Sequence, residues 1–228
     1  MNRPVAPPLS LGVSFHTLDP DQTLPTLQLL RNTPVKALEI WEPTFSKEPR
    51  FVEAFRTLAG KLQIEIRTVH APFSPTLDPS SLDPAIQRAA WDAFSRTLTL
   101  ARQLDAFGIV VHSSSEPIGD AERSLRFETA KKTIAQMARQ AGKIGCRILV
   151  EWLPRTCLGR TEEELIGLVD DLPPQTAGVC LDTNHLRNRY EDLPHAVHRL
   201  HPRLLALHCS DYDGRDEQHA LPGRGVIS

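Results

Sequence analysis

The chain has 228 residues, 40% of them apolar and 24% charged, with a formal net charge of −2. That length suits one large domain with a sizeable core; a single α/β barrel commonly uses about 250 residues. The charge balance carries no overall basic footprint for nucleic acid or an anionic membrane, and no apolar run approaches the ~18 residues of a membrane span.

The start, Met1–Ser10, is Pro-rich and lacks an apolar stretch, so no secretory signal is expected. Gly12–His16 reads as a first strand and Leu24–Leu30 as a helix whose start Pro25 blurs. Ala37–Trp41 is a second strand, Phe51–Ala59 a helix and Gln63–His70 a third strand. Asp83 is an N-cap followed by Pro84 at the first helical position. Ile86, Ala90, Ala93, Phe94, Thr97, Leu98, Ala101 and Leu104 then share one helical face. Gly108–His112 is the fourth strand. A helix over about residues 121–144 buries Ala130, Ile134, Met137, Ala138 and Ala141, and Gly145 ends it. Arg147–Glu151 is the fifth strand. Thr161 and Glu164 form a capping box ahead of Leu165, Ile166, Leu168 and Val169. Ala177–Asp182, a weaker helix at Asp192–Leu200 and the strand Leu204–His208 complete the pattern.

Of the four cysteines, Cys146, Cys157, Cys180 and Cys209, none forms a C-x-x-C pair. Cys180 and Cys209 sit in apolar strand-like runs and read as small buried hydrophobes, which fits a reducing, cytoplasmic setting. Regular strand–helix alternation predicts an α/β fold with a parallel sheet covered by helices. A doubly wound sheet finds no support, because neither a G-x-G-x-x-G nor a G-x-x-x-x-G-K-[ST] loop follows any strand.

Five of the apolar runs end in a metal-ligand type: His70, His112, Glu151, Asp182 with His185, and His208. The spacing is roughly 26 to 42 residues, about one strand-plus-helix unit of a (β/α) barrel. Parallel barrels gather function where their strands end, and convergent imidazole and carboxylate groups hold divalent metals. Each residue also has a plainer reading. His70 or His112 alone reads as a hydrogen-bonded structural histidine. Glu151 ends a buried strand, where a carboxylate needs a cation or a partner; Arg147 and Arg155 are the alternatives to a metal. Asp182 could be an N-cap beside a surface His185. Asp211 could orient a ligand from behind. The polar stretch Asp216–Gly225 ends in Gly-x-Gly, which permits close backbone approach. His16, Glu39 and Glu42 carry a structural reading at least as strong as a functional one, and His195, His198 and His201 face solvent on a helix or its end.

Taken together, His70-Ala71-Pro72-Phe73, Val111-His112, Val150-Glu151, Leu181-Asp182-Thr183-Asn184-His185, Leu207-His208-Cys209-Ser210-Asp211 and His219-Ala220-Leu221-Pro222-Gly223-Arg224-Gly225 resemble the xylose-isomerase-like TIM-barrel superfamily, in its sugar (phosphate) isomerase/epimerase branch. The resemblance implies a (β/α)8-type barrel and a divalent metal, Mn, Mg, Co or Zn. The implied ligands are Glu151, Asp182 and His208; where the usual eighth-strand glutamate is absent, His70, His112 or His219 is expected to stand in, with His219 counted among the metal ligands. It implies Glu151 and His185 as catalytic groups, with His70, His112, His185, Asp211 and Arg215 toward the substrate. The implied reaction is proton transfer between adjacent carbons of a sugar, sugar phosphate or related hydroxy-carbonyl compound, through an enediolate.

The family pattern continues into an eighth strand with a further glutamate, whereas this sequence reads Gly225-Val226-Ile227-Ser228 at its end. The expectation is one barrel domain over 1–228, C-terminally incomplete. Open edges at the first and seventh strands then make a homo-oligomer an option. Two other functions compete. The apurinic-endonuclease branch uses several zinc ions and histidines at the positions of His70, His112, His185 and His219, together with Asp216. The acidic balance and the absence of Asn in the Phe73–Asp78 segment count against it. A non-catalytic metal- or sugar-binding barrel is the third reading.

Overall fold

A computed structural model of the chain describes residues 10–16, 18–46 and 49–227, so most of the Pro-rich Met1–Ser10 stretch lies outside the described residues. Seven parallel strands follow one another in chain order: β1 (Gly12–Ser14), β2 (Ala37–Trp41), β3 (Glu65–His70), β4 (Gly108–Val111), β5 (Arg147–Glu151), β6 (Ala177–Asp182) and β7 (Leu204–His208). The helices α1 (Pro20–Leu29), α2 (Glu42–Phe45), α3 (Pro49–Leu62), α4 (Pro84–Gln103), α5 (Asp120–Gly142), α6 (Glu162–Val169) and α7 (Leu193–Leu200) fill the connections. The sheet curls far enough that side chains from its second and last strands reach one another across the inside: His208 on β7 touches Glu39 on β2, with Nε2 and Oε2 3.1 Å apart. This is the TIM-barrel-type α/β fold the sequence predicts, with no eighth strand among the described residues.

Local chemistry explains most boundaries. Asp83 Oδ1 accepts the Ala85 N–H at 2.7 Å and Pro84 opens α4, as the capping pattern requires. The predicted stripe of α5, Ala130 through Ala141, is buried in full, and Gly145 beyond it takes a left-handed φ of 74°. β1 stops at Ser14, two residues short of His16. α1 starts at Pro20 and carries Pro25 inside it. α3 runs to Leu62, where Gln63 with φ 57° turns the chain, so β3 begins only at Glu65. The expected capping box at α6 is half formed. Thr161 Oγ1 accepts the Glu164 N–H, but the Glu164 carboxylate is taken by Arg123 and by the Gly159 N–H at 3.1 Å. Cys180 is buried as expected, whereas Cys209 is exposed, because β7 ends one residue before it.

Two apolar layers hold the barrel. The larger lies between sheet and helices, built from alternate strand residues such as Ile40, Val69, Ile109, Val111, Ile148 and Val150 against Phe55, Phe94, Ile134 and Leu165. The smaller lies inside the barrel, where Val110, Leu149 and Cys180 pack with Leu205 and Ala206. Strand side chains alternate with period two. The residues two positions beyond Val110, Leu149, Cys180 and Ala206 are His112, Glu151, Asp182 and His208. The candidate site is therefore the next tier above this plug, at the C-terminal mouth where such barrels place their chemistry.

Candidate metal centre

Glu151 is the hub. Its carboxylate is almost wholly buried, 2% exposed, and four imidazoles surround it. Oε2 lies 3.1 Å from His70 Nε2 and 2.9 Å from His112 Nε2. Oε1 lies 2.9 Å from His208 Nδ1 and 3.8 Å from His185 Nδ1. Neither Arg147 nor Arg155 pairs with it. Arg147 sits over the Phe107 ring and Arg155 binds Glu116, Asp216 and Glu217, so the plain salt-bridge alternative does not hold.

Asp182 divides its two oxygens. Oδ1 accepts the Asn184 N–H at 2.8 Å in a local turn just ahead of the 3-10 segment Asn184–Asp192, whose N-cap position is Thr183, so Asp182 is not the N-cap. Oδ2 faces inward, 3.6 Å from His208 Nδ1 and 3.8 Å from His219 Nδ1. His219, held by Ser210 Oγ at 3.2 Å, stands at the exposed rim. Three groups of ligand atoms result: His70, His112 and Glu151; Glu151, Asp182 and His208; and Asp182, His185 and His219. Glu151 and Asp182 each serve two of them.

The ring nitrogens show what this donor set lacks. His70 Nδ1 lies 2.9 Å from the Ala71 carbonyl, which can only accept, so Nδ1 carries the hydrogen. Nε2 of a neutral His70 would then point a lone pair at the Glu151 carboxylate, and a cation must lie between them. In the metal-free protein that cation is a proton. Burial pulls His70 down, yet the hydrogen bond and charge of Glu151 raise its pKa overall. His208 behaves alike: burial lowers it, but Cys180, Glu39 and Glu151 raise it well above the usual value. Burial pushes Glu151 up, and His208 and His112 outweigh it and hold the carboxyl well below its normal range. His112, where desolvation wins, is lowered. Buried carboxylates facing imidazole nitrogens that must otherwise hold protons fit a divalent cation of the His/carboxylate class.

His185 has a fixed tautomer. Its Nδ1 donates to the Trp152 carbonyl at 2.7 Å, which leaves Nε2 with a free lone pair when the ring is neutral. An aromatic wall borders the cluster. His16 stacks on Trp41 at 4.0 Å between centroids, Trp41 meets Phe73 edge-on at 5.4 Å, and Phe73 stacks on His112 at 3.8 Å. Burial, with the charge of His70 next, lowers the His16 pKa to about 4, so this wall is uncharged near neutrality. Phe73 keeps 40% of its surface exposed.

The other predicted residues go elsewhere. Asp211 is buried beneath the loop after β7, and its carboxylate accepts the backbone N–H groups of Tyr212, Gly223, Gly225 and Ile227 at 2.8–3.0 Å. This gives the Gly-x-Gly motif its physical reason. A Cβ on Gly225 would lie 2.1 Å from the Tyr212 carbonyl oxygen and 2.5 Å from Asp211 Oδ1. Asp211 thus ties down a loop and reaches none of the histidines. Arg215 is exposed on that loop. Asp216 is held by Arg155 and Arg187, away from His219. Glu42 is buried beside Arg96, outside the cluster. His195, His198 and His201 are exposed.

Glu39, to which the sequence gives no more than equal standing as a functional residue, belongs to the site. It bridges Thr68 Oγ1 at 2.9 Å and His208 Nε2 at 3.1 Å. Burial pushes its carboxyl up, and His208 brings it down to about 2. The available signal was an acid on the inward face of β2, where alternation otherwise demands an apolar residue.

A parallel α/β barrel with a His/carboxylate cluster at its C-terminal strand ends is thus the class these observations define. The chain belongs to the xylose isomerase-like TIM barrel family, whose sequence profile matches residues 27–228. It is 24% identical over 226 residues to an uncharacterized protein of Methanocaldococcus jannaschii, covering 96% of this chain and 76% of that one. It is 27% identical over 186 residues to a probable endonuclease 4 of Akkermansia muciniphila, covering 69% of this chain and 61% of that one. Among solved structures, a D-tagatose 3-epimerase-like protein superposes with a TM-score of 0.82 at 24% identity, covering 96% of this chain and 83% of that one. No helix among the described residues is long and apolar enough to cross a membrane.

Proposed function

We propose that the chain carries the site of a divalent-metal-dependent isomerase or epimerase acting on a small sugar, sugar phosphate or related hydroxy-carbonyl compound. The observation that carries this reading is the Glu151 carboxylate set between His70, His112 and His208, with Asp182 beside it, at the mouth of the barrel. The likeness to a D-tagatose 3-epimerase-like structure supports the substrate class.

Glu151, Asp182 and His208 would hold the cation, with His219 at the rim. When bound, the cation supplies Lewis-acid polarisation of the substrate's carbonyl and hydroxyl oxygens. His185, its Nδ1–H anchored on Trp152, presents Nε2 to accept or return a proton. Glu151 is the carboxylate available for the same transfer. The His16–Trp41–Phe73 wall offers an apolar face to the C–H side of a sugar and keeps water from the reacting carbons. The test is hydrogen exchange in D2O, followed by NMR over a panel of ketoses, with and without added Mn or Co. Deuterium should enter the carbon next to the carbonyl only with metal and wild-type protein. No exchange on any ketose by the metal-loaded protein counts against the assignment.

A second reading is a multi-metal phosphodiesterase, favoured by one observation: three ligand groups share Glu151 and Asp182. The likeness to a probable endonuclease 4 points the same way. Against it, Asp216 is engaged by arginines. Metal content by elemental analysis separates the two. One ion per chain supports the isomerase; two or three, with nicking of abasic DNA, support the hydrolase. Sugar binding with neither reaction would leave a non-catalytic barrel.

A further inference from the structure

His208 touches carboxylates through both ring nitrogens. Nδ1 faces Glu151 Oε1 at 2.9 Å and Asp182 Oδ2 at 3.6 Å, while Nε2 faces Glu39 Oε2 at 3.1 Å. Glu39 comes from β2, far from β7 in sequence, and its register places it beside Thr68, whose hydroxyl donates to the same oxygen at 2.9 Å. The Ser14 hydroxyl on β1 donates to Oε1 at 3.3 Å. The carboxylate is thus fixed by hydroxyls from two neighbouring strands, and its remaining capacity points at one imidazole nitrogen. It is 9% exposed. A carboxylate there costs stability unless it is hydrogen-bonded.

We infer that Glu39 is the positioning residue of the metal centre: it accepts the Nε2–H of His208, fixes that tautomer and turns Nδ1 toward Glu151 and Asp182 as the ligand atom. A carboxylate behind a ligating histidine sets the ring's orientation and raises its basicity. The link also ties β7 to β2 across the mouth of the curled sheet. The inference rests on the proposal that the site binds a divalent metal.

The test compares Glu39→Gln and Glu39→Ala with wild type by Co(II) titration, read as the visible absorption of the bound ion and as dissociation constants from chelator competition. Circular dichroism confirms that each variant is folded. Removing such a partner should weaken affinity about 10- to 100-fold in Glu39→Ala. Glu39→Gln keeps an oxygen that accepts the Nε2–H, so its affinity should stay within a few-fold of wild type. Long-range ¹⁵N–¹H NMR of the Zn-loaded protein should show His208 protonated at Nε2 in wild type and Glu39→Gln. Equal Co(II) affinity in wild type and folded Glu39→Ala, or His208 protonated at Nδ1, overturns the inference while leaving the metal-site reading intact. A wild-type protein that takes up no metal overturns both. If Glu39→Ala fails to fold, Glu39→Gln and the tautomer decide.

Discussion

His70 holds its Nδ1–H on the Ala71 carbonyl and aims Nε2 at Glu151 Oε2, 3.1 Å away. With one nitrogen committed to the backbone, the other can serve the carboxylate only through a shared cation. The same requirement arises at His208 Nδ1, and under the proposed metal-dependent function a divalent ion would take the place of these protons.

That exchange fixes the pH behaviour of the metal-free protein. His70 and His208 have pKa values raised above the ordinary 6.5. Their contribution to stability is therefore fully present below 6.5 and is lost as pH rises through the folded-state values. Thermal melts of metal-free protein should fall in Tm from neutral to alkaline pH. Added Mn or Co should restore Tm there by mass action, and calorimetry in buffers of different ionisation enthalpy should show protons released on binding. A Tm that rises steadily across the same range contradicts the assignment.

Glu151→Gln removes the charge at the centre of four imidazoles. The protein should lose stoichiometric metal on elemental analysis, and any isomerase turnover should drop by at least about 100-fold. Full metal content in this variant would show that the ligand set is wrong.

His185→Gln keeps a polar side chain but no titrating nitrogen. The expected result is a fall in kcat of about 10²- to 10⁴-fold, with KM changed far less. A rise in KM alone would make His185 a binding group.

Phe73 stacks on His112 and remains partly open to the mouth of the site. Phe73→Ala should raise KM roughly 2- to 10-fold, the equivalent of about 0.5–1.5 kcal/mol of aromatic contact, with kcat within a few-fold. Unchanged KM across a sugar panel would remove the aromatic wall from substrate recognition.

Asp211 accepts four backbone N–H groups. Asn offers one acceptor oxygen in place of two, so Asp211→Asn should open the 212–227 loop to limited proteolysis and lower Tm. Burial pushes this carboxyl up, but those N–H groups prevail and hold its pKa below the usual 3.8. Its contribution is therefore present above the unfolded value and lost as pH falls through the folded one. Equal protease resistance in the variant would show that the loop is held by other contacts.

Much of this was legible in order along the chain. β2, β5, β6 and β7 have the predicted bounds, because short apolar runs flanked by turn residues define a buried strand locally. His70, His112, Glu151, Asp182, His185, His208 and His219 do converge, since the strand ends of a parallel barrel must meet around one axis. The partners of Asp211 and Glu39 were not legible, and for one reason. Both are buried acids whose partners lie on distant or later segments, and sequence spacing carries no record of which oxygen faces which donor.

The sequence by itself determined the βα rhythm, the parallel sheet and the ligand types at its strand ends. These follow from side-chain periodicity and local capping, which neighbouring residues settle. Only the tertiary structure decided which groups meet. Curling brings β2 to within 3.1 Å of β7 through Glu39 and His208, and the loop after β7 folds its own N–H groups onto Asp211. Hydrogen-bond direction and burial depend on those long-range meetings, and they separate the acid that meets His208 from the acid that fastens a loop.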